Sequence, residues 1–260
     1  MPLFDWFAVP ELDESHVFKL LEVTEASVFD DAIKARVSAE LIRARVNDQL
    51  HAELLRQVHK PKYRAMLAAA TPNRSTTRKG DFGEIVAAAL LDSHLGYIVP
   101  VKKLRYKVRA NDQQTGIDVV AFRKSADNSA ITEICYVESK FRSGPDKQIA
   151  VSAHHQLKGS VDSDLGEIHL FLANALCDQN DPLSVLFLKY LASDEASPDS
   201  FCLALHADTL TWDSEAIDNL AAVDTLLDPL MILLFKVANI SEVVRKCFAH
   251  AGIQLNDDDD

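Results

Sequence analysis

The chain predicts an α/β fold: a central mixed sheet flanked by helices, preceded by a mainly helical N-terminal region. Residues 115–122 and 135–140 are short, largely apolar runs rich in β-branched and aromatic residues, joined by a polar stretch, which reads as an antiparallel hairpin. Leu230–Val237 is almost wholly apolar, as a central strand buried on both faces requires. Around these runs, apolar residues recur at helical spacing.

In chain order, residues 17–23 form the first expected strand, followed by a helical region over 26–58. There Ile33, Val37 and Leu41 recur every four residues, and Val46, Leu50, Leu54 and Val58 do so after a phase shift. Pro61 is expected to end that region, and Lys34, Arg36, Arg43, Arg45 and Arg56 read as its solvated faces. The turn formers of 71–77 divide the chain into an N-terminal part, 1–75, and a main domain, 76–256, with an acidic tail at 257–260. Residues 81–91 are expected to be a buried helix. Along the basic run that follows, strand alternation would put Lys103, Arg105, Lys107 and Arg109 on one face as a row for nucleic acid. Asp127, Asn128 and Ser129 supply the hairpin turn, and Gly144-Pro145 ends its second strand. A helix over 146–158 carries His154, His155 and Gln156, of which at most one or two can face inward. Helices over 181–190, 214–227 and 241–249 and strands over 201–206 and 230–237 complete the sheet and its cover.

The hairpin carries ionisable groups that apolar neighbours normally exclude. Asp118 and Glu138 would sit on adjacent strands and can converge on one metal ion, while Glu138 and Lys140, two apart, leave the same face. A hard cation such as Mg2+ takes oxygen ligands and keeps several waters. Two carboxylates can hold it while open positions receive a phosphate and the attacking water. A neighbouring lysine positions or helps deprotonate that water and balances charge on the phosphate. Glu138-x-Lys140 is the only triplet in the chain with an acid two residues before a lysine. The arrangement resembles the PD-(D/E)XK nuclease superfamily, in which a helix before the sheet often adds a glutamate; Glu84 is the matching position. The alternative for Glu84 is a capping box with Asp81, three residues earlier.

Together, Gly83-Glu84, the run Thr115-Gly116-Ile117-Asp118 and Val137-Glu138-Ser139-Lys140-Phe141 resemble the nuclease-subunit family of the Hachiman anti-phage defence system. The resemblance implies a bacterial cytoplasmic deoxyribonuclease dependent on Mg2+ or Mn2+. It implies Asp118, Glu138 and Lys140 as the catalytic set with Glu84 as a fourth member, and Asp118, Glu138 and Glu84 as metal ligands. It also implies a helicase subunit as partner, loading on DNA and governing cleavage. Ile117 stands where the superfamily's name has proline.

Composition sets the boundaries. No apolar run approaches membrane-spanning length, and the first residues lack a signal peptide's basic and apolar regions. Cys135, Cys177, Cys202 and Cys247 are scattered without zinc-ligand spacing, which fits reduced thiols. The net charge of −12 is unevenly spread: residues 1–160 hold 23 Lys/Arg against 20 Asp/Glu, and residues 161–260 hold 4 against 19. A local basic stripe can follow a phosphate backbone even on an acidic protein, although the overall repulsion predicts weak DNA binding without a partner. Two other classes remain open on the sequence: a catalytically inactive DNA-binding or scaffold subunit, and a hydrolase of another phosphate ester. The second lacks a visible phosphate-cradling glycine loop.

Overall fold

A computed structural model describes residues 6–57, 59–107, 110–111, 116–193 and 199–250. Its strands are β1 (Phe7–Ala8), β2 (Lys19–Glu25), β3 (Val119–Lys124), β4 (Ile131–Arg142), β5 (Ser200–Asp208) and β6 (Leu230–Val237). They form one mixed sheet in the order β1-β2-β6-β5-β4-β3. The four inner strands run parallel, and β1 and β3 pair antiparallel at the two edges. Parallel neighbours need long crossovers. Helices α5 (Ile149–Asp178) and α6 (Leu183–Leu191) lie between β4 and β5, and α7 (Glu215–Ala221) between β5 and β6. Helices α1 (Asp31–Arg43), α2 (Asp48–Arg56), α3 (Pro61–Ala69) and α4 (Ser75–His94) precede β3, and α8 (Ile240–His250) follows β6.

The period of two along each strand sends alternate residues to two cores. Cys135 and Val137 of β4, with Cys202, Ala204, Leu233 and Phe235, pack against α1, α4 and α8. Ile134 and Tyr136, with Leu203, Leu205, Ile232 and Leu234, pack against α5, α6 and α7. The apolar run of β6 is an inner strand between β2 and β5, as its composition predicts. Sequence residues on both sides of position 75 build this sheet, because β2 pairs with β6.

Several boundaries differ from expectation for physical reasons. The first expected strand is β2, two residues later at Lys19–Glu25 and preceded by the unforeseen β1, and the helical region is two helices. Asp30 Oδ1 caps the first of them, accepting from the Ile33 N–H at 2.8 Å. Pro61 does not merely end that region; it opens α3, in the first turn, where a missing N–H costs nothing. Helix α5 was expected to stop at 158 but runs 30 residues, through Gly159 and Gly166. Its buried stripe, including Ala153, Leu157, Leu172 and Leu176, outweighs the roughly 1 kcal/mol that each helical glycine costs. The helix expected over 214–227 is confined to Glu215–Ala221. The acidic tail lies outside the described residues. All four cysteines are free, and no helix among the described residues is long and apolar enough to cross a membrane.

Candidate active site

The hairpin forms as its turn chemistry predicts. Ser125 N–H donates to Ala130 O at 3.0 Å, and Asn128 takes the left-handed conformation, φ 60°, that asparagine tolerates. Val119 pairs with Val137, so Asp118, one residue before, comes opposite Glu138, one residue after. The Asp118 N–H donates to Val137 O at 3.1 Å, and its Oδ2 accepts from the Ser139 N–H at 2.9 Å. Gly116, two residues upstream, has φ 82°, which glycine adopts without strain, and turns the chain into the strand.

Glu138 ends a run of buried residues on β4 and is 1% exposed. Lys140 Nζ lies 2.9 Å from its Oε1, close enough for an ion pair. The pair is close but poorly aligned for a hydrogen bond, and among the described residues neither carboxylate oxygen of Glu138 accepts one of good geometry. Lys140 Nζ donates instead to Gln156 Oε1 on α5. Gln156 is therefore the polar residue of that helix at the site. His155 is exposed, and His154 is buried with Nε2 accepting from the Leu227 N–H at 3.1 Å.

Helix α4 begins at Ser75 with Arg74 at its N-cap position, so Asp81 and Glu84 lie inside the helix and cannot form a capping box. Glu84 and Asp118 line a common cleft of about 600 Å³, with Arg36, Arg43, Lys102 and Lys103 on its walls. A second cleft of about 380 Å³ shares Lys103 and Asp118 and reaches Asp164 and Glu167 of α5. Neither cleft includes Glu138 or Lys140.

The electrostatics follow from burial. Desolvation pushes the Glu138 carboxyl up to about 7, helped by the charge of Asp118 and opposed by Lys140 and Lys103. Desolvation also raises Asp118, against the Ser139 N–H and Lys103, Lys140 and Lys107. Glu84 is held well above the ordinary carboxylate range by desolvation first, then by Asp118 and Asp81. Three carboxyls thus share a region that favours their neutral forms. No group of three or more His, Cys, Asp or Glu among the described residues is placed to hold a metal ion together. Asp118 and Glu138 are the pair whose chemistry fits a hard cation: oxygen donors, adjacent strands, and on Glu138 two buried oxygens that no donor satisfies.

The basic row does not form as a strand. Residues Lys103–Tyr106 are a 3-10 turn, which breaks the alternation that would put them on one face. Lys103 Nζ donates to Ile117 O at 2.9 Å and Gly116 O at 3.4 Å, pinning the segment that delivers Asp118. Arg105 donates to Arg43 O at 2.8 and 3.1 Å. Lys107 donates to Asp81 Oδ1 at 3.1 Å, and Arg109 lies outside the described residues. Arg45 is likewise no solvated residue: its side chain is 5% exposed and donates to Asp81 Oδ2, through Nε at 2.8 Å and through Nη2, and to Ala110 O at 3.0 Å. The signal available in the sequence was Asp81 itself, an acid beside an apolar helical run that needs buried partners.

The HamA family model matches residues 19–251. The chain belongs to the HamA family. The HamA match runs from the start of β2 through α8 and contains Glu84, Asp118, Glu138 and Lys140, together with the segments on which the sequence resemblance rests. No curated protein matches the chain.

Proposed function

We propose that this HamA-family chain is a metal-dependent nuclease with a PD-(D/E)XK core, cutting DNA within a Hachiman anti-phage system alongside a helicase subunit. The observation that carries the reading is Glu138, a carboxylate 1% exposed with no well-aligned hydrogen-bond donor among the described residues, set opposite Asp118 and beside Lys140. Buried polar groups are almost always satisfied, and an exception of this kind points to a missing cation or substrate.

Asp118 and Glu138 would hold Mg2+ or Mn2+, with Glu84 approaching from α4. When bound, the cation would polarise the phosphate and acidify a water. Lys140, oriented by Gln156, is suited to fix the attacking water and to balance charge on the phosphate. Hydrolysis adds that water across one P–O bond and leaves a phosphate monoester and a hydroxyl. Lys103 lines both clefts beside Asp118, where its charge would meet a phosphate entering either one. The helicase partner is implied by the family and accords with a net charge of −12, which disfavours DNA binding by the chain alone.

The test is plasmid cleavage by the chain with its helicase partner, in Mg2+ or Mn2+ and in chelator. Glu138→Gln and Lys140→Ala are each expected to lower cleavage about 10²–10³-fold. Undiminished cutting by the double variant would remove the activity from this site. DNA retention with no cutting by the wild type under any metal condition would favour the scaffold reading instead.

A further inference from the structure

We infer that the contact between Gly83 and Ser139 sets where Glu84 stands, so that both act as positioning residues for the acidic cluster; the inference rests on the nuclease reading above. Gly83 faces the sheet from α4. A Cβ there would lie 2.6 Å from Ser139 Oγ, 3.0 Å from His206 Cδ2 and 3.2 Å from His206 Nε2. The serine hydroxyl can turn aside, but the His206 ring is confined. It is fully buried and stacked on Phe235, with ring centroids 4.7 Å apart and planes within 8°. A side chain at this position would push the helix away from β4 and β5 or force the His206 ring to give by a few tenths of an ångström.

The next residue along α4 is Glu84. On the strand side, Ser139 stands between Glu138 and Lys140, and its N–H donates to Asp118 Oδ2 at 2.9 Å. One residue therefore touches the helix through its side chain and the catalytic aspartate through its backbone. The helix's height above the sheet at Gly83 is thereby tied to the position of the strand pair. Gly80, one turn earlier on the same helix, has no heavy atom within 4 Å of its notional Cβ, so it provides an internal control.

The test uses the full chain with its helicase partner and three readouts: plasmid cleavage, Mn2+ affinity by calorimetry, and melting temperature. Gly83→Ala is expected to lower cleavage at least about 10-fold, the scale on which sub-ångström misplacement acts, and to weaken Mn2+ binding. Gly80→Ala should change neither. In a Glu84→Gln background, Gly83→Ala should cost less than it does in wild type, because part of its effect runs through Glu84; a merely structural role would add its full loss. If Gly83→Ala does not fold, Ser139→Thr presses on the same contact from the strand side and should give the same pattern. A wild type that neither binds Mn2+ nor cuts overturns the nuclease reading, and this inference with it. A wild type that does both, matched by a folded Gly83→Ala, overturns this inference alone, as does an undiminished further loss in the Glu84→Gln background.

Discussion

Asp81 and Glu138 are both 1% exposed carboxylates, one on α4 and one on β4, yet their surroundings are opposite. Asp81 is fully engaged: Arg45 donates to Oδ2 and Lys107 to Oδ1. Glu138 has the Lys140 ammonium 2.9 Å away and, among the described residues, no well-aligned hydrogen-bond donor on either oxygen. Burial is common to the two, so burial alone does not mark function. What separates them is satisfaction: the first is a tie between α4, the residues just after α1 and the segment after the 3-10 turn, and the second is a buried acid paired with a lysine but lacking well-aligned donors among the described residues.

Removing the tie should have the largest effect. Asp81→Ala leaves Arg45 and Lys107 buried without their acid and should cost about 3–5 kcal/mol of stability in urea or thermal melts. A loss below about 1 kcal/mol would break the comparison, because Asp81 would then be no more structural than a surface acid. Glu138 should behave in the opposite sense. Its carboxyl, raised to about 7, takes up a proton on folding between the ordinary glutamate value and that point, so metal-free stability falls as pH rises through that window. At pH 8, Glu138→Gln should therefore melt higher than metal-free wild type, by on the order of 2–3 kcal/mol, with the gap closing at pH 5. Equal melting profiles for the two proteins in chelator from pH 5 to pH 8 would contradict this. The smallest effect sharpens the scale: Glu242→Gln, which breaks an exposed pair with Arg245 and Lys246 on α8, should change stability by about 0.5 kcal/mol or less.

The hairpin, the buried strand β6 and the shared face of Glu138 and Lys140 were legible in the sequence because they depend on a period of two and on local turn chemistry. The resemblance based on Glu84, Asp118, Glu138 and Lys140 led to a family that the match over residues 19–251 supports. Tertiary partners were not legible. Nothing near Arg45 in sequence indicates that Asp81, 36 residues away, would draw it inside. Residues Lys103–Tyr106 carry alternating charges that suit a strand, but the neighbours that fix their course, Arg43 O and Ile117 O, are supplied by other parts of the chain. The length of α5 was hidden for the same reason: Gly159 and Gly166 are local stop signals, overridden by a core that only the folded sheet creates.

The strand order has a consequence for the order of events on the ribosome. β6 lies between β2 and β5, so the strand that joins the N-terminal pair to the rest is the last one synthesised. At ordinary elongation rates, β2 emerges roughly 10–40 s before β6 does. In that interval β3, β4 and β5 can already pair and enclose Asp118 and Glu138, while β2 has beside it the two residues of β1 and a single bridge from Asp13 to Leu20. The nascent chain thus carries two unpaired strand edges, on β2 and β5, until one apolar strand seals both at once.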